Sequence, residues 1–401
     1  MTPQREAAGV RSGLTWRFVL LFLAQALAVG ATAGSQAMSS IIAAQLGKEW
    51  AAGLPSTVNT FAAAVSAYPF GFLMSRLGRR FGLVSAYVLG AVGAVTGFAG
   101  ARAGVFPLFL LGCAILGAAQ GGYQQGRYAA AESVSPSWRA AAMSALLFAS
   151  VLGSALATLL APALDRAAPQ LAVSSEVLGW LIAAAFLVGS ALLTMAWRST
   201  ASVMTPDADA PPPRARAVLK LPVVRAATVA LCATQAVMVT LMVLTPLRAH
   251  HLGYEHTAVA GFLTLHFAGM FGLAWLVGPL VDRVGVRFAL VAATVVLLVS
   301  AVLLPLTSPV MLGAGLFLLG LGWNLGYVGG SALLAPHRAA QGAVDAFTYL
   351  SAGVAALTGS LVTAHAGFGT LAVMSAVVAL LPGFAGLVML PRAGSRLARG
   401  D

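Results

Sequence analysis

Gly71-Phe72-Leu73-Met74-Ser75-Arg76-Leu77-Gly78-Arg79-Arg80 is written a second time, 207 residues on, as Gly278-Pro279-Leu280-Val281-Asp282-Arg283-Val284-Gly285-Val286-Arg287. Extended through Ala86 and Ala293, nine of sixteen positions are identical in the two copies: Gly71, Leu73, Arg76, Gly78, Arg80, Phe81, Leu83, Val84 and Ala86. Each copy is a short basic stretch with glycines, set between two long apolar runs. The offset is about half of the 401 residues, so the chain repeats a unit. Repeated halves built of bilayer-length segments are the construction plan of two-bundle membrane proteins that alternate between states.

Composition points the same way. The chain is 59% hydrophobic and 8% charged, with a mean hydropathy of +0.90. A soluble domain carries roughly a quarter charged residues, so this chain cannot dissolve in water without exposing most of its apolar side chains. Its apolar runs are about 20 residues long, the length that crosses a bilayer. The polar start, Met1 to Arg17, followed by an apolar run, has the outline of a cleaved leader, but that run is too long and eleven more follow. Cys113 and Cys232 both lie inside apolar runs, where they read as small buried side chains and not as a disulfide or metal pair.

Twelve spans are expected, near 16–38, 51–74, 82–101, 105–130, 138–163, 177–197, 223–247, 257–280, 286–306, 309–334, 341–364 and 367–390. The fold class is therefore an all-α integral membrane protein of two pseudo-symmetric six-helix bundles. The longest polar stretch between spans, Arg198 to Pro222, contains the Pro211-Pro212-Pro213 run, which cannot continue a helix. The expected organisation is a tail over 1–15, a first bundle over 16–197, a linker over 198–222, a second bundle over 223–390 and a tail over 391–401. With both termini in the cytoplasm, 19 of the 23 Lys and Arg fall on inner segments and only Lys48, Arg102, Arg166 and Arg248 on outer ones. That bias is the positive-inside rule. It accounts for the net charge of +12 as topology and anionic-lipid contact, without nucleic acid. The pairs Gly93/Gly97, Gly117/Gly121 and Gly322/Gly326 are spaced to put small residues on one helix face, where helices can approach closely.

At this point the chain, from about residue 15 to residue 391, resembles the major facilitator superfamily. The family's loop between helices two and three reads roughly G-x-L-x-D-R-x-G-R-R. Gly278, Leu280, Asp282, Arg283, Gly285 and Arg287 follow it, whereas the first copy has Ser75 in the acidic position beside Arg76, Gly78, Arg79 and Arg80. In the family that acid belongs to a charge latch of the outward-facing state. A second resemblance is Arg127…Glu132…Pro136…Arg139 after span four, similar to a pattern found in many members, including sugar porters. Glu132 is placed to pair with Arg76, Arg80 or Arg139, in contacts that form in one transport state and break in the other. The second half has Pro336-His337-Arg338 there, without the acid. The resemblance implies twelve helices, alternating access around a midplane cavity lined by spans one, four, seven and ten, and no ATP. In agreement, no Gly-rich phosphate loop ending in Lys-Ser/Thr occurs.

Polar groups inside apolar spans mark functional positions. His266 lies about midway along span eight, and imidazole changes charge near neutral pH, so it is a proton-coupling candidate. Asp345, about one turn into span eleven, is the second. Gln25, Asn59, Gln120, Gln124, Gln235, His266, Trp323 and Asn324 are the cavity candidates, with Gln36, Tyr123, Gln125 and Tyr327 near them. Amides and aromatic rings suit a neutral or amphipathic organic solute. His250, His251, Glu255 and His256 cluster in an outer loop, but adjacent histidines rarely share one ion, and no metal or other cofactor is expected. The expected protein is a secondary transporter of a small organic solute in a bacterial inner membrane, monomeric, with proton-coupled efflux ahead of proton-coupled uptake. A sensor on the same fold would need an added signalling domain, and an enzyme a nucleophile–base pair that His266 alone does not make.

Overall fold

A computed structural model describes residues 16–47, 51, 53–197 and 215–390. The expected tails and most of the expected linker lie outside them, as do the side chains of His250, His251 and His256. The described residues are helical, as an apolar chain in lipid requires: with no water to serve them, backbone N–H and C=O groups must pair within the segment. The first half of the sequence forms α1 (Trp16–Gly47), α2 (Leu54–Leu77), α3 (Arg79–Ala103), α4 (Phe106–Tyr123), α5 (Gly126–Glu132), α6 (Arg139–Ala167) and α7 (Ser175–Ala196). The second forms a short α8 (Ala215–Val218), then α9 (Pro222–His251), α10 (His256–Phe267), α11 (Ala274–Val284), α12 (Val286–Leu303), α13 (Pro309–Leu334) and α14 (Arg338–Phe384).

Nine of these elements or merged runs are long and apolar enough to cross a membrane, and α10 with α11, bent by 41°, makes a tenth. Leu54–Leu77 is long enough but diluted by Ser56, Thr57, Asn59, Thr60, Ser66 and Ser75. The run from Arg338 divides at Gly367, where φ is 79°. Counting α2 and this division, the described residues carry the twelve expected spans. Span four is α4 and α5, broken at Gln124 and Gln125, and span one continues to Gly47, well past its expected end.

The described residues fall into two compact units, one holding 16–197 with 341–349, the other 215–340 with 350–390. The core of the first is a close-packed set including Leu83, Tyr87, Phe109, Leu116, Tyr123, Trp180 and Leu187. Helices α3 and α4 meet through glycine: a Cβ on Gly112 would strike the backbone of Gly97, and one on Gly93 the backbone of Leu116. Gly117 likewise lets α4 press on the backbone of Asn59 in α2. The core of the second unit gathers Leu241, Leu297, Leu312, Leu316 and Leu319. The outward faces are also apolar, with Leu159, Val310 and Leu357 each at least 70% exposed. Lipid covers such a surface; water does not.

The repeated loop folds alike in both copies. Gly78 ends α2 with φ 87° and ψ 159°, and Gly285 ends α11 with φ 101° and ψ 161°. This region is open in practice to glycine only. The chain thereby reverses into the next helix within one residue.

Candidate functional site

In the first unit the polar candidates form tiers along α1 and α4. Gln36 donates to Asn59 (3.1 Å) and to Gln120 (3.4 Å), beside a cavity of about 150 Å3 lined by Gln36, Ser39, Ser56, Asn59, Cys113 and Trp180. Thr32 and Tyr123 share a hydrogen bond of 2.8 Å, and Gln25 donates to Gln124 at 3.5 Å. The structure thus joins Asn59 to Gln120 through Gln36, and Gln25 directly to Gln124.

Below them α4 stops, and Gln125 supports the break by donating to the carbonyls of Ala67 (2.8 Å) and Gly121 (3.2 Å). The new helix, α5, presents Arg127 and Tyr128 side by side. Arg127 donates to the Gln124 carbonyl (2.7 Å) and the Tyr128 hydroxyl (2.7 Å), and forms an ion pair with Asp345. The Tyr128 hydroxyl donates to the same Asp345 oxygen at 3.1 Å. Arg127 and Asp345 are 5% and 4% exposed. The second carboxylate oxygen of Asp345, Oδ2, is buried with no hydrogen-bond partner. Residues 341–349 approach this closely because a Cβ at Gly342 would meet the Ala67 carbonyl, and one at Gly71 the Gly342 backbone.

A second cluster adjoins the first. Arg79 grips Glu132 through Nη2 (2.8 Å) and Nε (3.3 Å) and also donates to Gln341. The rings and charges interlock: Arg127 lies 4.3 Å and Arg79 5.8 Å from the Tyr128 ring centre. The partner found for Glu132 is therefore Arg79, which lies outside the expected set of Arg76, Arg80 and Arg139. The reason is positional. Gly78 turns the chain so that Arg79 opens α3 and is buried, whereas Arg76 lies over the Phe72 ring at 4.6 Å and Arg80 donates to the Met195 carbonyl. Arg139 opens α6. Sequence reasoning missed Arg79, Tyr128 and Gln341. A signal existed for Arg79, since the second copy replaces it by Val286.

In the second unit Gln235 lies halfway along α9, Trp323 and Asn324 halfway along α13, and His266 in the last turn of α10. A five-residue π turn, Ala268–Gly272, joins α10 to α11. It packs tightly on α13, where a Cβ at Gly269 would strike the Phe317 carbonyl and one at Gly320 the His266 carbonyl. Asn324, fully buried, donates to the Met270 carbonyl inside the π turn. His266 is also fully buried, with Nδ1 donating to the Leu316 carbonyl at 3.0 Å and Nε2 without a partner. The π turn aims Phe271 at Trp323, ring centres 5.9 Å apart and nearly perpendicular. Trp323 stacks on Tyr327 at 4.5 Å and donates from Nε1 to Gln235 Oε1 at 2.8 Å. In the second loop copy, Asp282 and Arg283 lie in the last turn of α11, after Gly278, and Arg287 donates to the Leu390 carbonyl at 3.1 Å. Among the described residues no group of three His, Cys, Asp or Glu is arranged to hold a metal ion.

Two buried ionic clusters and an aromatic face midway along apolar helices, in a duplicated twelve-helix chain, suit solute movement across a bilayer, and relatives bear on that. An uncharacterized MFS-type transporter of Bacillus subtilis, YdeG, is 31% identical over 386 residues, covering 90% of this chain and 87% of its own length. The riboflavin transporter RfnT of Brucella anthropi is 27% identical, over 82% of this chain and 84% of its own. Among solved structures, the human organic anion transporter MFSD10 superposes with a TM-score of 0.74 over 96% of this chain and 100% of its own, at 17% identity, a likeness of fold. The sequence model of the Major Facilitator Superfamily matches residues 21–339. With that match over most of its length, the chain belongs to the Major Facilitator Superfamily of membrane transporters.

Proposed function

We propose that the protein moves a small organic solute out across a bacterial inner membrane by alternating access, and that Asp345 carries the coupling proton. One observation carries this reading: a buried Arg127–Asp345 pair joins the first and second halves of the sequence and leaves Asp345 Oδ2 without a partner. A buried carboxylate of this kind has two stable conditions, ionised against Arg127 or protonated and released from it. Protonation removes the charge that holds residues 341–349 to α5. The freed segment then changes place, and return of Arg127 expels the proton. Arg79, Glu132 and Gln341 form the neighbouring tie that makes and breaks with it. The amides and rings of both units, neutral throughout, support an uncharged organic cargo, and the transporter of riboflavin among the relatives supports an organic one.

The test is a distance measurement. Spin labels at Ser133→Cys and Phe347→Cys, in a background lacking Cys113 and Cys232, are read by pulsed electron–electron resonance in nanodiscs. Lowering the pH from about 8 to about 5 is expected to shift the population toward longer separations. Asp345→Asn is expected to hold the long-distance population at both pH values. An unchanged distribution in all conditions removes Asp345 from the coupling step.

A further inference from the structure

The second unit carries a face that its own packing leaves incomplete. Indole nitrogen only donates, so the Trp323 bond of 2.8 Å dictates which way the Gln235 amide points. The oxygen faces Trp323, and Nε2 is turned away with its two N–H groups taken by no described residue. Gln235 is half-buried and sits near the middle of α9, while Trp323 sits near the middle of α13. An open amide at that depth is expensive against hydrocarbon and is retained where it meets water or a ligand.

Further rings gather on Trp323. Tyr327 lies parallel to Trp323 within 17°. Phe271 stands edge-on to Trp323 at 76°, and Phe267, one turn earlier and 46% exposed, lies within 12° of parallel to Phe271. The π turn brings Phe271 here, and such turns are enriched at functional sites. None of these five side chains is charged, and the neighbour His266 is fully buried, with Nδ1 held by the Leu316 carbonyl. Flat faces, one oriented pair of donors and no charge define a complement: a ring system that stacks and offers an acceptor at its edge.

We propose that this face binds a flat, uncharged heteroaromatic molecule through ring stacking on Phe271 and Tyr327 and a carbonyl or ring-nitrogen acceptor on Gln235. The proposal rests on the transporter reading above and gives its cargo a chemical class. Trp323 is the positioning residue, since it holds the amide in register.

The probe is acridone, which is flat, neutral, fluorescent and carries one carbonyl. Binding to the full chain in nanodiscs is followed by fluorescence anisotropy against empty nanodiscs, with anthracene as the flat molecule lacking an acceptor. Saturable acridone binding is expected, weakened about fivefold by Gln235→Met, the equivalent of one neutral hydrogen bond. Anthracene is expected to be indifferent to that change, and Phe271→Leu to weaken both probes by about fivefold. Trp323→Phe keeps the ring but frees the amide, and is expected to act on acridone alone. No saturable acridone binding, or equal affinity in wild type and all three variants, overturns the proposal. The spin-label distances on α5 and α14 do not depend on acridone. Failure here with intact pH-driven separation removes the aromatic site alone, while acridone binding without separation removes the coupling reading and leaves the site.

Discussion

The two copies of the basic loop share a backbone and differ in what they hold. Gly78 and Gly285 take nearly the same conformation, and each is followed by a new helix. Arg80 and Arg287 each donate to a carbonyl at the end of the last helix of its own half, Met195 in one and Leu390 in the other. The residue after the glycine differs. Arg79 is buried against Glu132, whereas Val286 packs with Leu290, Ala226 and Ala385 in an apolar cluster. At the acidic position Asp282 is matched by Ser75, whose hydroxyl donates to the Phe72 carbonyl at 2.8 Å. Duplication thus preserved the turn and the helix-end cap, while the Arg79–Glu132 pair of the first copy has no equivalent at Val286. The lesson is that glycine specifies the shape of this loop and its neighbours specify its use.

Four experiments press on this contrast. The largest effect is expected from Arg127→Leu, which removes the counter-charge and forces the buried Asp345 carboxyl to take up a proton, and should cost about 3–5 kcal/mol. Thermal unfolding in detergent measures it, and Arg127→Leu with Asp345→Leu should recover most of the loss. If Arg127→Leu costs no more than Arg283→Ala, the first copy is not special. Next, Gly78→Ala and Gly285→Ala should each lose about 1–3 kcal/mol, because ψ near 160° at positive φ excludes a Cβ. Clearly unequal losses would break the equivalence of the turns. Arg79→Lys keeps the charge but not the two-pronged grip on Glu132, and should cost about 1–2 kcal/mol by the same melts. The smallest effect belongs to Arg80→Ala, about 1 kcal/mol for its one hydrogen bond to the Met195 carbonyl, and Arg287→Ala should lose at least as much, since Arg287 holds more than the Leu390 carbonyl.

Local features were the legible ones. The duplicated glycines announced the turns, and the length and polarity of the runs announced the spans, because both depend on residues close in sequence. The π turn was not legible, because hydropathy does not separate a π turn from a helix and the close contact at Gly269 depends on the backbone of Phe317 in another helix. The ionic clusters were legible only in part. Arg127, Glu132 and Asp345 stood out as charges in apolar surroundings, but their partners are set by packing between segments 218 and 262 residues apart. Gln341 carries no mark of its own, and Tyr128 reads as one more apolar-run aromatic. Gln36 was visible as a polar residue, yet its place between Asn59 and Gln120 follows from the close approach of α2 and α4 at Gly117, a contact no single helix pattern encodes.

The central claim is that Asp345 exchanges a proton while Arg127 comes and goes, and infrared difference spectroscopy on the reconstituted protein addresses it most directly. Lowering the pH from about 8 to about 5 should raise a protonated-carboxyl C=O band that is absent in Asp345→Asn and already present at the higher pH in Arg127→Leu. A band that persists in Asp345→Asn, or no band at all across that range, would contradict the account.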